Sequence, residues 1–211
     1  MTEKSTVTRQ RTGRKFSQIL QAAQQLFLAN GYGETSMDAV AERSGVSKAT
    51  LYAYFDNKRD LFSAIVSHFS TRYAAAEIDD GGAGTGADAE TRLLRLGQWV
   101  VRLLSAPDAI AAHRMVIAEA VRAPELGQLY YAAGPAMLLT RVEEIIGRIM
   151  QDGQLRTAPS RLAAAHFIDL VWGPLQLRAL ICVTERVSDR ERNRIIRSGV
   201  DTFHRAYASG S

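Results

Sequence analysis

Apolar residues return along this chain at intervals of three and four almost from end to end. Phe16, Ile19, Leu20, Ala23, Leu26 and Phe27 step by three, one, three, three and one, the single stripe of an amphipathic helix. The stripe stops at Asn30-Gly31, residue types that tolerate the left-handed backbone of a helix C-cap, and Tyr32-Gly33 extends the turn. Thr35 or Ser36 can cap a short helix over about Met37 to Ser44, with Asp38 placed where the helix dipole favours negative charge. Gly45 ends that helix, and Val46-Ser47 leads into a second short one from Lys48 to about Tyr54. Asp56 or Asn57 then caps a longer helix whose inward face reads Leu61, Phe62, Ile65, Val66, Phe69 and Tyr73, closing near Ile78.

The pattern breaks at residues 79–88, DDGGAGTGAD, where four glycines and no large apolar residue predict a flexible connector and a domain boundary. Beyond it, helical spacing runs through Leu93 to Leu104, Ile110 to Val121, Leu126 to Met150, Arg161 to Leu180 and Ser188 to Tyr207. The last begins with Ser188-x-x-Glu191, a capping box. Gly134-Pro135 and Gly173-Pro174 fall inside two of these stretches, and each predicts a break or kink, because proline removes a helical hydrogen bond and clashes with the preceding turn. The expected fold is therefore all-α with about nine helices. Its predicted divisions are a basic arm (1–15), a first helical domain (16–78), a Gly-rich linker (79–88) and a larger helical domain (89–211).

With 46% hydrophobic and 23% charged residues, the chain has enough apolar side chains to bury a core. The net charge of +4 is unevenly spread: residues 1–60 hold nine Lys/Arg against six Asp/Glu. Lys4, Arg9, Arg11, Arg14 and Lys15 face only Glu3, as expected either of an arm that touches nucleic acid or of a solvated tail. Residues 1–15 lack the apolar region of a secretory signal, and no uncharged apolar run reaches the roughly 18 residues of a membrane helix, so a cytoplasmic location is expected. Cys182, the single cysteine, sits in an apolar run and reads as a buried thiol.

The chemistry gathers in Thr35–Tyr54, TSMDAVAERSGVSKATLYAY. Two short helices around a glycine form a helix-turn-helix, in which Ala39, Val40 and Val46 pack inward. The second helix is short enough to enter a DNA major groove and bring its N-terminal side chains to base edges and phosphates. There Lys48, Ala49, Thr50, Tyr52 and Tyr54 supply a cation, methyl groups, a hydroxyl and two phenols, while Leu51 and Phe55, at i and i+4, face the core.

Residues 14–70 resemble the TetR family of bacterial regulators. The resemblance rests on Ile19-Leu20, Ala22-Ala23, Leu26-Phe27 and Gly31-Tyr32, then on Thr35, Ala41, Gly45-Val46-Ser47, Thr50-Leu51-Tyr52, Tyr54-Phe55, Lys58 and Leu61-Phe62. It implies a three-helix DNA head, a connecting fourth helix and a C-terminal ligand-binding and dimerisation domain. Carried over by position, it implies that Thr35 or Ser36 touches a phosphate, that Ser47, Lys48, Ala49, Thr50, Tyr52 and Tyr54 form the groove-facing turn and helix, and that Lys58 meets a phosphate. Ala49 preceded by Lys48 departs from the family's common step, so base preference is not transferable.

The second half is matched through Arg114–Leu126, RMVIAEAVRAPEL, with Gly153 and Phe167, which look like one TetR-type effector subgroup. The expected partners are a double-stranded operator, a second copy of the chain through the last two long helices, and a small, largely apolar effector, with no membrane. An effector pocket is expected from some of Trp99, Leu103, Met115, Tyr130, Tyr131, Met137, Phe167 and Trp172, each of which could equally be plain core. Arg102, His113, Glu119 and Arg178 are polar candidates that interhelical salt bridges would also explain. A ligand-relieved repressor is the leading expectation, with an activator or an effector-independent architectural protein as alternatives. No catalytic motif is present, and His68, His113, His166 and His204 show no metal-ligand spacing, so neither an enzyme nor a cofactor or metal site is expected.

Overall fold

A computed structural model describes residues 13–74, 86–181 and 187–209, with the side chains of 69–74 left out. Most of the basic arm, most of the Gly-rich linker, Cys182, and the side chains of Phe69 and Tyr73 lie outside the described residues.

Ten helices account for nearly all of what is described. The first four are α1 (Arg14–Asn30), α2 (Met37–Ser44), α3 (Lys48–Tyr54) and α4 (Lys58–Ala74). Then come α5 (Ala89–Leu104), α6 (Pro107–Glu119), α7 (Pro124–Ala133), α8 (Pro135–Gln151), α9 (Ser160–Leu180) and α10 (Asp189–Tyr207). An isolated bridge between Leu155 and Ala208 is the one extended pairing among the described residues. Local chemistry sets several boundaries as the sequence predicts. Asn57 Oδ1 accepts from Asp60 N at 2.9 Å at the start of α4, and Ser188 Oγ accepts from Glu191 N at 3.1 Å at the start of α10. Gly45 closes α2 at φ 69°, a left-handed backbone that a side chain resists.

The two Gly-Pro steps behave differently. Gly134-Pro135 divides the expected 126–150 helix into α7 and α8, with Pro135 at the first position of α8, where its missing N–H costs nothing. Pro174, in contrast, stays inside a continuous α9, so the expected break is not there. Proline at 174 cannot donate to the carbonyl of Leu170. α10 brings Gly199 against that same carbonyl, so closely that a Cβ at 199 would lie 2.7 Å from its oxygen. α10 thus lies directly over the turn that the proline interrupts.

Packing yields two cores, and they do not follow chain order. The larger joins α5, α8, α9 and α10 through residues such as Leu96, Val100, Val142, Ile145, Phe167, Val171, Val200 and Phe203. The smaller joins Ile19, Phe27, Val40, Leu51, Phe55 and Phe62 of the first four helices to Met115 and Val116 of α6 and Leu126 of α7. At about 25 cal/mol per Å² of apolar surface, three such side chains contribute several kcal/mol at most to holding the first helices on α6 and α7. On the last two helices, those expected to pair with a second copy, Phe167, Val171, Leu175, Ile196, Val200 and Phe203 are consumed in the larger core. What α9 and α10 leave open is a groove of about 390 Å³ lined by Leu170, Pro174, Arg194, Ile195, Ser198, Gly199 and Thr202, with Leu162 and Leu177 also exposed on α9.

Candidate nucleic-acid interface

α2 and α3 are held as a rigid pair. Val40 and Leu51 are fully buried between them and the first core, and Ser36 and Ser47 cap their starts by accepting from Ala39 N and Thr50 N, each at 3.1 Å. Ser47 Oγ also lies 2.9 Å from Thr50 Oγ1, fixing the first turn of α3. With Leu51 and Phe55 buried, the opposite side of α3 must face outward, and Ser47, Lys48, Ala49 and Tyr52 are exposed there. Tyr52 is 47% exposed, a large phenol free to leave water for a groove. Lys48 Nζ donates to Asp38 Oδ2 of α2 at 2.6 Å, and that hydrogen bond, followed by the carboxylate's charge, raises the lysine's pKa.

Four residues expected to touch DNA are wholly or partly covered. Thr35 is 2% exposed and donates from Oγ1 to Gly31 O at 2.8 Å, so of the Thr35/Ser36 pair only Ser36 faces solvent. Tyr54 is half-buried, its ring 6.1 Å from that of Phe16 and 6.2 Å from that of Phe55, because one further turn brings position 54 back toward α1. Thr50 is partly covered, its hydroxyl engaged with Ser47. Lys58 is the largest departure. Its ammonium donates to the carbonyls of Tyr32 at 2.6 Å, Gly33 at 2.9 Å and Thr35 at 2.8 Å and lies 4.5 Å from the centroid of the Tyr32 ring. All three of its donors are used in tying α4 to the α1–α2 turn. Partial burial lowers its pKa, opposed by Glu119 and Glu34.

The eight residues expected around an effector are not brought into one lining. Trp99, Leu103, Phe167 and Trp172 belong to the larger core, whereas Met115 and Tyr130 pack with the first helices. Tyr131 and Met137 flank the Gly134 break and are 56% and 50% exposed. Of the polar candidates, Arg178 pairs with Glu191 at 3.0 Å, an interhelical salt bridge. Arg102 borders an open cleft of about 410 Å³ with Gln98, Ser105, Arg192 and Asn193. His113 faces Tyr130 edge-on at 5.5 Å; burial lowers the histidine's pKa and pushes that of Tyr130 up to about 12.

α6 links the two cores. Arg114 donates from Nε to Leu180 O at 3.1 Å and from Nη2 to Ala179 O, satisfying carbonyls at the end of α9 that no further helical turn can reach. One residue on, Met115 and then Val116 enter the head core. At its far end Glu119 sits on the α1–α2 turn, its Oε1 3.0 Å from where a Cβ on Gly31 would be. Sequence reasoning placed Glu119 near a ligand and did not single out Arg114. The unmet carbonyls expected at any helix end were the available signal for the arginine.

Residues 19–65 match the bacterial regulatory proteins of the tetR family, and residues 91–209 match the C-terminal domain of AefR-like transcriptional repressors. Among curated proteins the chain is similar to the transcriptional activator FasR of Mycolicibacterium smegmatis (strain ATCC 700084 / mc(2)155), 43% identical over 49 residues that make up 23% of this chain and 22% of that one. It is also similar to the transcriptional repressor TetR of Mycobacteroides abscessus, 30% identical over 106 residues, 49% of this chain and 56% of that one. The matched part thus spans well under two thirds of either relative. Against YdeS of Bacillus subtilis (strain 168), an uncharacterised HTH-type regulator, identity is 28% over 77% of each chain. Among solved structures, a chain described as of the TetR family from Mesorhizobium loti MAFF303099 superposes with a TM-score of 0.81 at 27% identity, covering 95% of this chain and 100% of that one. The flavonoid-responsive regulator FrrA does so with a TM-score of 0.80 at 28% identity and the same coverage. No helix among the described residues is long and apolar enough to cross a membrane. The chain belongs to the TetR family of bacterial transcriptional regulators.

Proposed function

We propose that this protein is a homodimeric repressor that sits on a palindromic operator and is released by a small, largely apolar effector. The observation that carries the reading is the outward face of α3, where Ser47, Lys48, Ala49 and Tyr52 stand exposed on a helix whose other side is locked into a core. Such a helix lies in a major groove, with Ser36 at the start of α2 meeting the flanking phosphate. The AefR-like match supports repression, and the open α9–α10 groove, with Leu162 and Leu177 beside it, supports pairing of two copies there. Two copies would set two α3 helices about 34–36 Å apart, one turn of DNA.

Effector release requires a ligand that binds the wrongly spaced state better than the DNA-bound one. α6 is the element on which such a preference acts, since it holds the end of α9 through Arg114 and the head through Met115, Val116 and Glu119. We put the site beside α6 and α7, where His113, Tyr130, Tyr131 and Met137 offer apolar surface with an imidazole and two phenol hydroxyls. Selection of bound sequences from a random duplex library at near-physiological salt tests the DNA reading. A recovered palindrome is expected; enrichment of no motif would overturn sequence-specific regulation in favour of an architectural role. Release of that palindrome by a member of an apolar library, mapped to α6–α7, is the expected second result.

A further inference from the structure

Within Thr35–Lys58 the basic residues are Arg43, Lys48 and Lys58, and each has a partner: Gln25 at 3.2 Å for Arg43, the three turn carbonyls for Lys58, and Asp38 for Lys48. Only Lys48 lies on the outward face of α3, and its partner is a carboxylate. The side chains of Lys48 and Asp38 are 66% and 58% exposed, so nothing buried demands the pair. Their positions explain it instead. Lys48 opens α3 and Asp38 stands in the first turn of α2, so the two meet on the face that α3 presents to DNA.

We propose that Asp38 withholds the Lys48 ammonium from phosphates, so that the head binds DNA of arbitrary sequence weakly. The inference rests on α3 being the groove-facing helix. On random duplex the head gains mainly electrostatic contacts, each cation neutralising one phosphate and releasing counterions. Asp38 cancels the Lys48 cation at 2.6 Å, so the pair offers the backbone no net charge. An operator adds contacts from Tyr52, Ala49 and Ser47 to base edges, which Asp38 does not oppose, so a penalty common to both leaves an operator occupied at protein concentrations where random duplex stays free.

The test is Asp38→Asn in the full chain, which keeps the side chain's shape and removes its charge, measured by fluorescence anisotropy on a random-sequence duplex and on the selected operator across a salt series. The variant should bind random duplex several-fold more tightly, with the slope of log K against log salt steeper by about 0.9 per head. Operator affinity should rise by a similar factor, and random duplex should become occupied at protein concentrations where the wild type leaves it free. In a Lys48→Gln background the same change should have less than half the effect, because the withheld cation is gone. Unchanged random-duplex binding, or an equal gain in both backgrounds, would overturn the withholding role. Wild-type protein that bound no duplex at low salt would instead remove α3 from the groove, and the proposal with it.

Discussion

Tyr52 and Lys58 show how differently two side chains of one DNA-binding segment are employed. Tyr52 projects from α3 with about half its surface open, and Tyr52→Ala should leave helicity and stability unchanged while weakening operator binding by about 1–3 kcal/mol, the cost of a lost base contact. Anisotropy titration with the selected operator reads this, and undiminished affinity would remove Tyr52 from the interface. Lys58 is committed inward. Lys58→Met should lower the unfolding free energy by about 1–2 kcal/mol in urea melts, because three charge-assisted bonds to the α1–α2 turn are lost while its carbonyls can still reach water. Unaltered stability with weakened DNA binding would return Lys58 to a phosphate. The exposed face of α3 was legible from the sequence, since Leu51 and Phe55 fix which side points in. The cage around Lys58 was not, because it depends on where a turn 23 to 26 residues away places its carbonyls; nor was the inward turn of Thr35 onto Gly31 O, since Thr35 and Ser36 are equally able to cap α2 as sequence. Nor was Asp38 on Lys48, ten residues apart across a helix-turn-helix, where helical spacing gives no guide.

Among the helices, α9 and α10 are pressed together at a point that tolerates no side chain. Gly199→Ala would put a Cβ 2.7 Å from the Leu170 oxygen and 3.1 Å from Val171 Cγ1, so the two helices must separate. A loss of about 1–3 kcal/mol is expected, seen as a lower thermal midpoint. A variant that melted like the wild type would show that the two helices can part there without loss. Helix number and span follow from the apolar repeat, and Pro135 at the start of α8 was readable as a boundary. Pro174 was not, since whether a proline ends a helix depends on what replaces its lost bond, and here α10 lies over the site. α6 and α7 carry a pH dependence. Burial holds the His113 pKa below its ordinary value of 6.5, so the unfolded chain takes up a proton there before the folded one does. The stability His113 contributes is therefore full above about pH 6.5 and drains away as pH falls toward the depressed value. Thermal midpoints should fall between about pH 7 and pH 5.5, and His113→Gln should flatten that part of the profile; an unchanged slope in the variant would locate the dependence elsewhere.

For the molecule as a whole, the sequence divides at the Gly-rich stretch, and the family matches divide there too, ending at residue 65 and resuming at 91. Burial divides elsewhere. Met115, Val116 and Leu126 complete the core of the first four helices, so the piece that reads DNA and the piece that folds are different lengths of chain. No composition or periodicity announces this, because α6 reads from its sequence as one more amphipathic helix of the second domain. A fragment ending at residue 78 would expose the patch those three side chains cover, and it should melt at a lower temperature and with less cooperativity than the intact protein. That shared core also constrains anyone who wishes to re-address the protein. A head transplanted from a relative would arrive against an α6 and α7 shaped for another partner. A working chimera must therefore carry those two helices with the head, or rebuild positions 115, 116, 119 and 126 to fit the newcomer.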